Sequence, residues 1–116
     1  MVSAERMRRV DEAMREVLSD VVTRELKDPR VGFVTVTDVK TSPDLRHARV
    51  HVSVLGDADV RAASLQGLRS AHGFLQARLA ASLRMKNTPQ LEFAYDDTAE
   101  KAFALEALLR EQEARR

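Results

Sequence analysis

The sequence predicts a single α+β domain in which helices cover one face of a mixed three-stranded sheet. Three observations lead to this fold class. Apolar residues recur at helical spacing through the first 27 residues, two segments rich in β-branched residues follow on either side of a turn, and a long helical stretch separates these from a third strand-like segment. A length of 116 residues has room for one such domain and little more.

The first element is an amphipathic helix predicted over residues 3–27, with Ser3 suited to its N-cap. Asp28 precedes Pro29, and because the residue before a proline avoids the helical region, the helix should end nearby. The apolar residues lie three and four positions apart and form one stripe, which comprises Met7, Val10, Met14, Val17, Leu18, Val21 and Leu26.

Two strands are predicted next, over residues 33–40 and 47–54. In the second, Val50, Val52 and Val54 alternate with polar residues, which indicates one buried face and one polar, partly basic face. The connection over residues 41–45 has the Ser, Pro and Asp typical of turns, so the two strands should form an antiparallel hairpin.

The crossover that follows is helical but interrupted. Asp57 or Asp59 can cap its start, and a leucine-based rhythm continues to about Met85. Weak helix formers fall together around Gly73, which predicts two short helices that meet at residues 71–73.

The last predicted elements are a strand over residues 90–95 and a helix over about 98–113. A long crossover favours parallel pairing of this strand with the second one, through a right-handed connection. Asp97 and Glu100 resemble a helix-capping pair.

Composition and motifs argue against several classes of protein. The chain has no cysteine, which excludes disulfide scaffolds and thiolate metal sites. His47 and His51 lie on a strand, about 13 Å apart, too far to share one metal ion. With no signal peptide, membrane span, phosphate loop or nucleophile elbow visible, we expect a cytoplasmic, non-enzymatic protein without cofactor, metal or small-molecule substrate. Nothing calls for a dimer, so we expect a monomer.

The basic residues indicate where a polyanion could bind. The net charge is only +1, yet residues 60–91 contain five basic residues and no acid. The predicted kink lies within this stretch, where a helix start exposes amides and small residues admit a sugar-phosphate backbone. The alternative is an ordinary solvated surface. The predicted RNA-binding residues at the kink are Ser70, Ala71, His72 and Gly73. The predicted basic contacts are the flanking residues Arg69, Arg78, Arg84 and Lys86, together with Arg46 and Arg49 on the hairpin.

The element order resembles the type II KH fold, whose members clamp nucleotides with a Gly-x-x-Gly loop. Here Ala71, His72 and Gly73 form an Ala-x-Gly kink instead. With this kink, residues 3–110 resemble the ribosome-binding factor A family, and the similar segments are residues 24–30, 32–39, 42–48, 52–56 and 88–96. The resemblance implies a KH-like RNA-binding domain over residues 1–97. It leaves 98–116 as a helix or tail, either part of that domain or peripheral to it.

The resemblance also implies a function and a partner. Family members bind 16S rRNA in the immature, free 30S subunit, assist late maturation including 5′-end processing, matter most in the cold and have no catalytic site. Two alternatives stay open. One is a protein-interaction module that docks a protein through the outer sheet face or the first helix, and the other is a hydrolase that depends on His47 or His51.

Overall fold

The computed structural model describes residues 3–115, which form four helices and three strands. The order confirms the predicted α+β arrangement with its interrupted crossover. The elements are α1 (Ala4–Arg24), β1 (Val34–Thr41), β2 (His47–Val54), α2 (Ala58–Ser70), α3 (His72–Leu83), β3 (Gln90–Tyr95) and α4 (Thr98–Ala114).

The sheet has the strand order β1-β2-β3 and mixed pairing. β1 and β2 form the predicted antiparallel hairpin, with Val34 opposite Val54 and a shift in register between Val36 and Asp38. β3 runs parallel to β2, with His47 opposite Gln90, as a helical crossover requires. The central strand is therefore β2, and β1 and β3 form the two edges.

The core lies between one face of the sheet and helices α1 to α3. Ala48, Val50 and Val52 of β2 are fully buried, whereas His47 and Arg49 on the other face are exposed. This confirms the predicted face of alternating apolar residues. The helices contribute Met14 and Leu18 of α1, Leu68 of α2, and Leu75 and Leu79 of α3.

The helix starts agree with the sequence at two positions. The Ser3 hydroxyl accepts a hydrogen bond from the Arg6 amide at 3.2 Å, and the Asp57 carboxylate accepts one from the Val60 amide at 2.9 Å. α1 ends at Arg24 rather than near Lys27, because the Glu25 and Leu26 amides both donate to the Val21 carbonyl and break the helical ladder.

The predicted capping pair at the start of α4 is wrong. Asp97 has φ −96° and ψ 13°, which is not the extended backbone of an N-cap, and its side chain makes no capping hydrogen bond. The Asp96 carboxylate accepts from the Thr98 amide at 3.0 Å instead, and Glu100 accepts a hydrogen bond from the Tyr95 hydroxyl.

α4 projects from the rest of the protein. None of its residues is buried, and its base is held where the Arg61 guanidinium lies 4.1 Å from the centre of the Tyr95 ring and 3.7 Å from the Glu100 carboxylate. The radius of gyration is 16.8 Å, against about 13 Å for a compact domain of this length. Within residues 3–115, no helix is long and apolar enough to span a bilayer.

Candidate nucleic-acid interface

Ala71 forms the break between α2 and α3. Its amide donates to the Gly67 and Leu68 carbonyls, at 3.0 and 3.1 Å, and its φ and ψ of −86° and 9° end the first helix. α3 starts at the next residue without a side-chain cap. The first amides of a helix have no partner within it, so this start presents unsatisfied donors beside the positive end of the helix dipole.

The surface at the break is small and open. Gly73 and Ser70 are exposed, and a Cβ added to Gly73 would meet nothing within 4 Å. His72 is half-buried, and its Nε2 atom is enclosed without a hydrogen-bond partner among residues 3–115. A strand of nucleic acid can therefore approach the backbone on the Ser70 and Gly73 side, while the His72 ring lies against the domain.

Arg69 and Gln76 connect the kink to the free edge of β3. The Gln90 and Asp96 amides donate to β2, and since alternate amides of a strand point the same way, those of odd-numbered residues face the edge. The Arg69 guanidinium donates to the Phe93 carbonyl at 3.3 Å, and the Gln76 side chain accepts from the Leu91 amide at 3.3 Å. Arg69 thus uses one of its five N–H donors in a structural hydrogen bond.

Gly67 allows a loop to pack closely on α2 just before the kink. A Cβ on Gly67 would lie 2.6 Å from Cγ2 of Val31. The Gly32 amide of this loop donates to the Ser64 hydroxyl of α2 at 3.2 Å. Within the loop, hydrogen bonds from the Arg30 side chain and amide lower the pKa of Asp28 to about 2. This loop holds the end of α2 in place and so supports the kink.

The other basic residues predicted to bind RNA lie away from the kink. Arg78 pairs at 2.9 Å with Glu25, the residue that follows α1, and this pair offsets its charge. Arg84 and Lys86 follow the far end of α3, which has 12 residues and is therefore about 18 Å long. Lys86 lines a groove together with Arg46 of the hairpin. Arg49 is exposed on the outer face of the sheet.

The structure thus divides the ten predicted residues. It brings Arg69 together with the kink, places Arg46 and Lys86 at the other end of α3, and leaves Arg78 in an ion pair and Arg49 on the opposite sheet face. Sequence reasoning missed Gln76, whose role depends on the position of β3. It also missed Arg6, which lines the Arg46 groove and could have been found from its place four residues before Val10 on the same side of α1.

Catalytic and metal chemistry has little support in these groups. Among residues 3–115, no three His, Asp or Glu side chains are close enough to hold a metal ion. His47 is exposed and His51 half-buried, on the polar face of β2. What the arrangement offers is backbone amides, guanidinium groups and an ammonium group, which are the groups that bind phosphate.

Comparison with known proteins identifies similar chains over most of this length. The profile of the family described as "Ribosome-binding factor A" matches residues 6–109. The protein of that name from Anaeromyxobacter sp. (strain K) is 48% identical over 112 residues, which are 96% of this chain and 81% of the relative. The protein of that name from Anaeromyxobacter dehalogenans (strain 2CP-1 / ATCC BAA-258) is also 48% identical over the same shares.

Solved structures agree with these sequence matches. A crystal structure of ribosome-binding factor A from Thermus thermophilus superimposes with a TM-score of 0.70 and 28% identity, over 77% of this chain and 93% of the other. The solution structure of a Thermotoga maritima protein described as a putative ribosome binding factor A superimposes with a TM-score of 0.71 and 32% identity, over 81% of this chain and 90% of the other. A homology model of the Thermus thermophilus protein, fitted into a cryo-EM map of a 30S-RbfA complex, superimposes with a TM-score of 0.64 and 29% identity, over 74% of this chain and 90% of the other.

Proposed function

The chain belongs to the ribosome-binding factor A family, and from this we propose that it is a non-enzymatic assembly factor of the small ribosomal subunit. It binds 16S rRNA in the free, immature 30S subunit and assists late maturation, including processing of the 5′ end. The relative fitted into a 30S complex supports this partner. The chain acts in the cytoplasm as a monomer, and it matters most in the cold.

The observation that carries this proposal is the uncapped start of α3 beside an exposed glycine. Free amides at a helix start bind phosphate, and the absence of a side chain at Gly73 lets the RNA backbone reach them. We propose that the RNA contacts are Ser70, Ala71, His72, Gly73 and Arg69 at the kink, with Arg78, Arg84, Lys86, Arg46 and Arg49 as further basic contacts.

The kink is suited to shape recognition more than to base reading. Beside it, the exposed Phe74 ring offers a stacking surface for one base, and stacking on a ring does not distinguish one base from another. Contacts from amides and guanidinium groups depend on phosphate positions, which are the same for every base. A factor built this way distinguishes maturation states of an RNA by where its backbone lies.

Sedimentation with ribosomal particles tests the proposal. We expect the protein to sediment with free 30S subunits but not with 70S ribosomes, and its binding to fall steeply as salt rises. The double variant Arg69→Glu and Arg84→Glu should bind free 30S subunits much more weakly. Arg78 is left unchanged because its ion pair with Glu25 holds α3 on α1.

A matched control makes the same change of charge elsewhere. Arg8→Glu with Arg110→Glu alters exposed residues on α1 and α4, and this variant should bind as the unchanged protein does. If the two double variants bound 30S subunits equally well, the assignment of the basic contacts would be wrong. If the unchanged protein did not sediment with 30S subunits, the proposed function itself would fail.

One observation favours a second candidate function, a protein-docking module. Phe33 and Leu55 are 80% and 75% exposed and are cross-strand neighbours, with the Leu55 amide donating to the Phe33 carbonyl at 3.0 Å. Such an apolar pair at the end of a sheet suits a protein contact. Binding through it would tolerate salt and survive RNase treatment, whereas RNA binding would not.

A further inference from the structure

A second groove lies at the end of the domain away from the kink. It is formed where the first half of α1, the turn of the β1–β2 hairpin and the connection from α3 to β3 come together, and its volume is about 790 Å³. Its lining includes three basic residues, Arg6, Arg46 and Lys86, and three apolar residues, Val10, Leu45 and Met85.

The rim of this groove is positively charged. Arg6, Arg46 and Lys86 are exposed, and none of them forms an ion pair within residues 3–115. The acid in the groove is Asp44, whose carboxylate accepts hydrogen bonds from the Ser42 hydroxyl and the Arg46 amide, at 2.6 and 3.1 Å. Asp44 keeps its negative charge and attracts Arg46, so the groove carries three cations against one acid and stays positive on balance.

The floor of the groove is apolar. Val10, Leu45 and Met85 are half-buried, so each keeps part of its side chain accessible. A smaller hollow of about 280 Å³ shares Arg6, Val10 and Met85 and adds Leu83, which extends the apolar strip along the seam between α1 and α3. A basic rim around an apolar floor matches a ligand with both an anionic and an apolar part.

The backbone at the groove is held in an unusual conformation. Leu45 has φ 61° and Arg84, just before Met85, has φ 50°, and these are the non-glycine residues with positive φ in residues 3–115. At Arg84 this conformation is the ordinary left-handed cap that ends α3, with the Arg84 amide donating to the Ala80 carbonyl. At Leu45 it lies in the hairpin turn, where it is unfavourable for a side chain other than glycine. The Leu45 amide donates to the Ser42 carbonyl at 2.8 Å, which fixes the turn that sets Leu45 in the floor.

We infer that this groove seats an unpaired nucleotide of single-stranded RNA, with the base on Val10, Leu45 and Met85 and the neighbouring phosphates on Arg6, Arg46 and Lys86. This inference rests on the proposed function and deepens it. An unpaired base can leave its stack and pack on side chains, whereas a paired base offers its phosphates alone. The groove and the kink lie at opposite ends of α3, so they would hold two separate parts of the RNA.

Two variants separate the roles of the rim and the floor. The probes are a short fluorescent oligouridylate and an oligonucleotide of equal length that has the same phosphates but no bases. The unchanged protein should bind the first several-fold more tightly than the second. Met85→Ala should lose this preference and keep the salt dependence, because it alters the floor alone.

Arg6→Ala with Lys86→Ala should show the reverse behaviour. It should keep the preference for bases, and the slope of log affinity against log salt should decrease in magnitude by roughly 1.4, since each phosphate contact to a single strand contributes about 0.7. Arg8→Ala with Lys101→Ala alters two exposed basic residues outside the groove. This variant should change neither the preference for bases nor the salt slope. Thermal unfolding of each variant verifies that it folds.

A photo-crosslinking residue at position 85 gives an independent test in the free 30S subunit, with position 110, exposed on α4, as the control. Crosslinks from position 85 to 16S rRNA support the inference, and crosslinks from it to ribosomal protein alone overturn it. An unchanged protein without any preference for bases, or a Met85→Ala variant that retains the preference, also overturns it. Failure of the unchanged protein to sediment with 30S subunits is a separate result, which counts against the proposed function.

Discussion

Two glycines in the crossover show how tertiary contacts decide the role of a residue. Gly67 is buried under the loop that carries Val31, whereas Gly73 faces open space. In the sequence both are glycines in a helical, acid-free stretch, and both lower helix propensity. Propensity correctly predicted a break within residues 71–73, because several weak helix formers are adjacent there, and the structure has it at Ala71. It could not reveal that Gly67 serves close packing, since the loop that covers it comes from residues 28–32.

Alanine at these two positions should have opposite effects on stability. Gly67→Ala should lower the free energy of unfolding by about 1–3 kcal/mol, because its Cβ would lie 2.6 Å from Val31. Gly73→Ala should raise it by up to about 1 kcal/mol, because alanine favours a helix and meets no neighbour. Urea denaturation measures both changes.

Gly73→Ala also tests the kink as an RNA contact. The added methyl group occupies the space through which we propose that the sugar-phosphate backbone approaches. We therefore expect a more stable protein that binds 30S subunits more weakly. Sedimentation with 30S subunits measures this, and a stabilised variant with unchanged binding would show that the backbone at Gly73 does not contact RNA.

Among the elements, the strands were easier to predict than the helix ends. Alternation of apolar and polar residues defines β2 and β3, because each has one face on the core. The start of α4 at residue 98 was predicted correctly, but its capping residue was not, because that residue was chosen by spacing alone. Asp96 takes that role since its carboxylate also reaches the Thr37 hydroxyl at 2.7 Å across the sheet, and such a contact depends on strand order.

The base of α4 gives an expected dependence on pH. Hydrogen bonds from Thr98, and also from Thr37, lower the pKa of Asp96 to about 2. A carboxyl whose folded pKa lies below its unfolded value near 3.9 stabilises the protein above that value, and this contribution is lost as pH falls toward 2. Asp96→Asn should therefore reduce the loss of stability over this range.

Thermal unfolding at a series of pH values from about 5 to 2 checks this expectation. Some acid sensitivity should remain in Asp96→Asn, because the pKa of Asp28 is also lowered to about 2 by Arg30. Adding Asp28→Asn should reduce it further. Identical acid profiles for the unchanged protein and Asp96→Asn would contradict the assigned hydrogen bonds.

At the scale of the whole molecule, the body and α4 should be separable. No residue of α4 is buried, although the helix carries four large apolar residues, Phe103, Leu105, Leu108 and Leu109. Sequence spacing can show that a helix has apolar residues, but not whether another element lies against them. We propose that residues 1–97 form the folding unit and that residues 98–116 are peripheral to it.

Truncation after Asp97 tests this division. The shortened chain should unfold within a few degrees of the full chain, because it loses contacts of Tyr95 and Asp96 but no buried apolar surface. Circular dichroism should show the loss of about 17 helical residues. A shortened chain that fails to fold would show that α4 is part of the core domain.

The two edges of the sheet are protected against pairing with strands of other chains. Unpaired amides at a sheet edge invite another chain to add a strand, which is a common route to aggregation. Here Gln76 and Arg69 occupy the edge of β3, while the Asp11 carboxylate accepts from the Thr41 amide and a bulge interrupts β1 near Thr37. These polar groups should therefore oppose edge-to-edge pairing of strands between copies of the chain.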